Sequence, residues 1–317
     1  MFDYPHSQGE FDAQFASEEA CREYLFGLRW PAGFVCPRCG GHGGWLTKRN
    51  LVMCRGCGYQ ASLVAGTIFE GSHKPLHTWF RAVWAVTTDK GGASALGVQR
   101  VLGLGSYQTA WTWLHKLRRA MVRPDQDRLS GRIEVDESYI GGITHGEEGR
   151  RRGSKALIVI AAQEDGRGIG RIRMQRVPDA SAKSLEGFIV ESIAQGSVVH
   201  TDGWSGYAGL EARGYVHEST PQKRLDVPGA EEDLLPRVHR VASLLKRWVL
   251  GTHQGAVSHG HLDYYLDEFT FRFNRRTSAS RGMLFYRLFQ NAVRVGPTSY
   301  RAMVKGLRGP KTGRYNR

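Results

Sequence analysis

Two things are scarce in this 317-residue chain: cysteine, of which there are five, and negative charge, with 30 Asp and Glu against 44 Lys and Arg. So few cysteines exclude a disulfide-stapled scaffold. The shortage of acids leaves a formal charge of +14. A basic excess of that size favours a polyanionic partner, nucleic acid before an acidic membrane surface. No apolar stretch reaches the ~18 residues that a transmembrane helix needs, so no membrane association is expected. The first twenty residues hold no Lys or Arg, the wrong start for a secretory signal. With hydrophobic residues at 41% and charged residues at 23%, wholesale disorder is excluded. At about 150 residues per domain the length suits roughly two domains. The expectation is a cytoplasmic protein that handles DNA or RNA.

Four of the five cysteines are paired: Cys36-Pro-Arg-Cys39 and Cys54-Arg-Gly-Cys57, with fourteen residues between the pairs. Two such knuckles suit a structural, tetrahedral Zn²⁺, because each folds two thiolates onto one side of the metal. Gly40 and Gly58 follow the knuckles, where the chain must turn back. A redox Cys-x-x-Cys would need no twin. Cys21 sits at helical spacing with Tyr24, Leu25 and Leu28 and reads as buried core.

Residues 14–29 have helical periodicity with Ser17 as N-cap. Short strands are expected at 44–46, 51–54 and 60–63, the pattern of a zinc ribbon. From Pro75 the period turns helical, with a first helix carrying Leu76, Trp79, Phe80, Val83 and Trp84. A second follows at 93–102 and a third at 107–122, joined by Gly103-Leu104-Gly105. This order matches a helix-turn-helix, with Lys116, Arg118 and Arg119 on the third helix as DNA contacts. An ordinary helical hairpin would pack Trp111, Leu114 and Leu117 in the same way.

After Pro124 the pattern is mixed α/β. Strands are expected at 132–139, 156–163, 168–177 and 197–201, with a helix at 180–194 and further helices at 238–250 and 261–273. Three antiparallel-type strands, a helix, a strand and C-terminal helices give an RNase H-like order. The last 17 residues hold six basic and no acidic residues, which suits a flexible tail on a DNA backbone. The fold class is therefore α+β. Its parts are an N-terminal helix (1–30), a zinc ribbon (31–70), a helix-turn-helix segment (75–123), an RNase H-like domain (130–276) and a basic tail (277–317).

Asp136 and Asp202 each close an expected strand. Neighbouring strand ends can bring two carboxylates together, which is unfavourable unless a cation or proton lies between them. Mg²⁺ or Mn²⁺ ions would resolve the repulsion and serve attack at a phosphodiester. An Asp at a strand end is also an ordinary turn starter.

The blocks around these acids are Val135-Asp-Glu-Ser-Tyr-Ile-Gly-Gly142 and His200-Thr-Asp-Gly-Trp204. Together with the four-cysteine ribbon, Gly66-Thr-Ile-Phe69, Ser243-Leu-Leu-Lys246, Gly251-Thr-His253 and Tyr265 to Arg276, they resemble bacterial zinc-ribbon insertion-sequence transposases. The group is the ISXO-like one of the IS1595 family, within the DDE superfamily. The resemblance spans nearly the whole chain. It implies a metal-dependent DNA strand transferase and endonuclease. Water would nick the element end, and the freed 3′-OH would attack target DNA. The partner would be double-stranded DNA, both element ends and target. The protein would act as a homo-oligomer, because two ends must be joined, and its setting would be the bacterial nucleoid.

Asp136 and Asp202 match the first two metal-binding acids of such a family. The third should lie some 35 residues after the second and seven before a basic residue. Counting back from Lys246 reaches His239, 37 positions after Asp202, where a carboxylate is usual. Imidazole suits Mn²⁺ better than Mg²⁺. His239 is either the third ligand of a DDH variant, or Glu231, Glu232 or Asp233 serves instead, or the copy is inactive. Lys246 and Arg247 are candidate DNA contacts on the same helix, as is Arg150-Arg-Arg152. Trp204 and Tyr207 could stack on an unpaired base or pack their loop. Glu134 could neighbour the site or stand solvated on its strand. The competing functions are a non-catalytic zinc-ribbon/helix-turn-helix DNA-binding protein and a plain metal nuclease.

Overall fold

The structure, a computed structural model, describes residues 3–122, 127–141, 155–220, 234–255 and 257–304. It divides into two compact units: Met1–Asp125 with Thr277–Arg317, and Gln126–Arg276.

The first unit opens with two short helices, α1 (Gln8–Gln14) and α2 (Glu18–Arg29). Ser7 and Ser17 cap them, their hydroxyls accepting the N–H groups of Glu10 and Ala20. A three-stranded antiparallel sheet follows: β1 (Gly44–Leu46), β2 (Leu51–Cys54) and β3 (Gln60–Ser62), in that order across the sheet. Its core is small: Trp30, Phe34, Val52 and Ala61 beside Cys36 and Cys54. Gly44 is required in β1, because a Cβ there would lie 2.5 Å from the Met53 carbonyl oxygen.

Helices α3 (Leu76–Thr88), α4 (Ala95–Leu102) and α5 (Tyr107–Ala120) come next. Pro75 cannot cap α3. Glu18 of α2 does so instead, accepting the Leu76 and His77 N–H groups at 2.9 and 3.0 Å. Gly103 ends α4 in the left-handed region (φ 61°). Trp79 and Trp113 stack at 3.7 Å between α3 and α5.

The stretch expected as a tail from 277 is partly folded. Residues Arg281–Ala292 form α9 and Tyr300–Val304 form α10. Phe285 and Phe289 of α9 join Phe11, Phe15, Tyr24, Phe80 and Trp84 in one aromatic core. The physical reason is periodicity: Leu284, Phe285, Leu288 and Phe289 make a continuous buried stripe that outweighs the basic composition around it. The remaining residues of the expected tail, 305–317, lie outside the described residues, as does Arg150–Arg152.

The second unit is a five-stranded mixed sheet of β4 (Arg132–Ile140), β5 (Ala156–Asp165), β6 (Gly168–Val177), β7 (Val198–Thr201) and β8 (Val216–Ser219). The order is β6-β5-β4-β7-β8. β4, β5 and β6 run antiparallel in turn, while β7 is parallel to β4 and β8 to β7. Helix α6 (Ala182–Ser192) connects β6 to β7, and α7 (Pro236–His253) and α8 (Leu262–Phe273) follow β8. The near-continuous apolar run of β5 is covered on both faces. Ile158 and Ile160 pack with Val238, Val241 and Leu245 of α7 and Leu266 and Phe269 of α8. Leu157, Val159 and Ala161 pack with Leu185, Phe188 and Ile189 of α6. The edge strand β6 is pinned by Asn274, whose side chain accepts the Ile172 N–H at 2.7 Å and donates to the Ile172 carbonyl at 3.0 Å.

Candidate active site and metal centre

Strand alternation decides which way each residue of β4 points. Ile133 and Val135 face α6, so Glu134 and Asp136 face α7 and α8. β7 lies parallel beside β4 with Glu134 opposite His200. Asp136 and Asp202 are each two residues beyond that pair. Asp202 directly follows the end of β7, whereas Asp136 does not close its strand as expected but lies mid-way along β4, which runs on to Ile140, level with the C-terminal end of β7. Asp202 leaves β7 in a tight turn, its Oδ1 accepting the Trp204 N–H at 2.9 Å. From above the sheet, α7 brings His239 down on this end, with Nε2 3.2 Å from Asp136 Oδ2.

Glu137 points to the opposite face. It is half-buried, and its Oε2 accepts the buried Tyr207 hydroxyl at 3.0 Å. Burial first, then the negative charge of Asp136 and of Asp202, push the Glu137 carboxyl up to about 7, against the pull of the Tyr207 hydrogen bond. Burial and the neighbouring acids raise the Tyr207 phenol as well. This end of the sheet is thus a concentrated negative field, the environment that attracts a cation. Cis ligands around an octahedral cation with ~2.1 Å bonds stand about 3 Å apart, so the Asp136–His239 spacing fits a shared divalent ion. Oxygen and imidazole donors suit Mn²⁺, and two carboxylates suit Mg²⁺. Asp136, Asp202 and His239 do not all close to within 4.8 Å. Among the described residues only the cysteine cluster brings three or more ligating side chains that near.

That cluster fits zinc. The Sγ atoms of Cys36 and Cys57 are 3.7 Å apart, as are those of Cys39 and Cys54, and all four lie within 4.8 Å. A tetrahedron with Zn–S bonds of ~2.3 Å has edges of about 3.8 Å. The Arg38 and Gly41 N–H groups donate to Cys36 and Cys39 Sγ at 3.4 Å, stabilising thiolates rather than thiols. None of the cysteines is in a disulfide, and Cys21 is buried in α2.

Residues 128–274 match the ISXO2-like transposase domain, and residues 16–60 match the transposase zinc-ribbon domain. Over these two segments the chain is similar to transposases of this family. It is also similar to the Halobacterium salinarum "uncharacterized protein in transposable element ISH50", with 26% identity over 81% of this chain and 91% of that protein. The matched transposase domain carries all three candidate ligands, Asp136, Asp202 and His239, and the ribbon match carries all four cysteines. No helix among the described residues is long and apolar enough to cross a membrane.

The expected DNA contacts divide sharply. Lys246 and Arg247 are exposed on α7, and Lys246 shares the His239 face, two turns on. Arg118 and Arg119, expected as DNA contacts, are instead buried, at 1% and 8% exposure. Arg118 approaches His115 Nδ1 at 3.4 Å, and neighbouring Lys116 donates to the Glu70 carbonyl at 3.1 Å. Helix α5 is buried over its whole C-terminal half, so its basic residues serve packing and internal hydrogen bonds instead of a phosphate backbone. Tyr207 is likewise fully buried, and the Trp204 indole N–H donates to the Ala180 carbonyl at 2.9 Å, so both pack the turn after Asp202. Glu231, Glu232 and Asp233 lie outside the described residues.

Glu134, expected either as a neighbour of the site or as a solvated strand residue, has a defined place. It is not solvated but 1% exposed, and its carboxylate receives the N-terminus of α7. The available signal was its parity with Asp136: a strand places both on one face.

Proposed function

We propose that the second unit is an RNase H-like catalytic domain which cuts the ends of an insertion sequence and joins the freed 3′-OH to target DNA. The observation that carries this reading is the meeting of Asp136 and His239 at 3.2 Å, beside the strand end that holds Asp202, inside the matched transposase domain. The sheet order, three antiparallel strands followed through α6 by two parallel ones, supports the RNase H-like reading. Asp136, Asp202 and His239 would hold Mg²⁺ or Mn²⁺. Bound there, the ion supplies Lewis acidity at a phosphodiester and makes a water or 3′-OH a better nucleophile. The protein's own part is to aim the donors. β4 and β7 fix the two carboxylates by register, and α7 fixes the imidazole. Lys246 and Arg247, on the same helix, hold phosphate oxygens of the DNA.

In this reading the zinc ribbon and the α4–turn–α5 segment, as a helix-turn-helix, hold element ends as double-stranded DNA. The active species is a homo-oligomer, since two ends must be brought together. The test supplies pre-cleaved ends bearing a free 3′-OH with Mn²⁺ or Mg²⁺. Wild-type protein is expected to give joined product, and Asp136→Ala to lose it while still binding ends. Cleavage without any joined product would make the protein a nuclease. Full biological effect in Asp136→Ala would make it a non-catalytic DNA-binding protein.

A further inference from the structure

Glu134 lies two residues before Asp136 on the face of β4 that α7 and α8 cover, and it is 1% exposed. Its carboxylate accepts three hydrogen bonds, all from the first turn of α7. Oε2 takes the Arg237 N–H at 2.7 Å and the Val238 N–H at 2.9 Å, and Oε1 takes the Arg237 guanidinium at 2.8 Å. These backbone donors have no partner within the helix. α7 begins at Pro236, its N-cap Leu235 offers no side-chain acceptor, and the intrahelical ladder starts with His239 N–H to Leu235 O at 3.1 Å. A carboxylate from a neighbouring strand therefore does what Ser or Asp does at an ordinary N-cap, and its charge complements the helix dipole. Arg237 extends the anchorage to the β5–β6 turn, reaching Glu164 at 3.2 Å and the carbonyls of Gly166 and Gly168 at 3.0 and 3.1 Å.

We propose that Glu134 is a positioning residue for the Asp136–His239 pair: it fixes the first turn of α7 to β4 and so sets the imidazole against the carboxylate. One hydrogen-bonded junction stands two residues from Asp136 along the strand and one residue from His239 along the helix. Little chain remains free to move either partner. This inference rests on the reading of Asp136 and His239 as ligands of one cation.

The test measures Mn²⁺ affinity by electron paramagnetic resonance on the full-length protein with its ribbon loaded with zinc. It compares wild type, Glu134→Gln, His239→Ala and the double variant, each checked for folding by thermal melting. Glu134→Gln and His239→Ala are each expected to weaken Mn²⁺ binding about tenfold or more. The double variant is expected to bind no more weakly than His239→Ala, since without an imidazole Glu134 has nothing to place. A Glu134 that merely stabilises the fold would lower the melting temperature and leave Mn²⁺ affinity intact. It could also add its loss independently to that of His239→Ala, and either result overturns the proposal. If Glu134→Gln does not fold, Arg237→Met removes the guanidinium bond and keeps both backbone donors. A smaller loss of Mn²⁺ affinity is then expected, and none overturns the proposal. Unchanged affinity in His239→Ala overturns the ligand reading and this inference with it. Loss in His239→Ala with none in Glu134→Gln overturns this inference alone.

Discussion

His239 Nε2 on α7 stands 3.2 Å from Asp136 Oδ2 on β4. The contact joins a helix and a strand that are far apart in sequence, and it sets an imidazole against a carboxylate. If His239 holds the ion as proposed, strand transfer in His239→Ala should fall at least about 100-fold. His239→Glu should keep activity and shift the preferred ion from Mn²⁺ towards Mg²⁺, a harder cation that favours oxygen. Product yields against a series of each ion test this. Full activity in both variants would remove the histidine from the site.

Lys246 and Arg118 should behave as opposites. Exposed Lys246, changed to Ala, should weaken DNA binding evenly across sequences and lower the slope of log affinity against log salt by about 1. Arg118→Ala should leave that slope unchanged and instead lower the melting temperature, because it hollows the interior of the first unit. Binding isotherms at several salt concentrations, with melting curves alongside, separate the two.

The ribbon has a core of only a few side chains around Trp30, Phe34 and Val52. Without metal so small a core cannot offset the entropy of ordering its chain. Cys54→Ser, or removal of zinc by a chelator, should therefore unfold the ribbon. Limited proteolysis should then cut within residues 36–57, sites that the zinc-loaded protein protects.

Glu137 gives a pH signature. Its folded-state value of about 7 is raised from the ordinary 4.5, so the folded protein holds the proton more tightly than the unfolded chain. The resulting stabilisation is full below about 4.5 and is lost as pH rises through about 7, on the order of 3 kcal/mol in all. In protein without added Mg²⁺ or Mn²⁺, denaturant midpoints should fall across that window. Glu137→Gln should flatten the fall, and an unaltered pH profile in that variant would refute the assignment.

Much of the fold is legible in the amino-acid sequence. The ribbon strands, the helix from Leu76 and the strands from Arg132 and Ala156 announce themselves through periodicity and cysteine spacing. Asp136 and Asp202 were both expected at strand ends, but β4 runs on to Ile140 and only Asp202 follows the end of its strand. A count backwards from Lys246 reaches His239, and the fold sets it against Asp136. What escaped was set by tertiary packing. Arg118 and Arg119 look like an exposed basic pair, and only the burial of the second half of α5 turns them inward. Glu134 reads as a polar strand residue until a helix arrives needing an acceptor for Arg237 and Val238. For α9 the stripe of Leu284, Phe285, Leu288 and Phe289 was in plain view, but the basic composition of the whole segment masked it. Strand β8 is four residues long with its Val216 exposed, and so carries no apolar signature of its own.

The return of the chain at Thr277 sets an order of assembly. Phe285 and Phe289 complete the aromatic core begun by Phe11, Phe15 and Phe80, yet the whole second unit is translated between them. A ribosome must finish the candidate catalytic domain before the first unit can close. A nascent chain stopped anywhere short of α9 exposes an unfinished aromatic surface. A truncated chain is then exposed to proteases before its first unit can close.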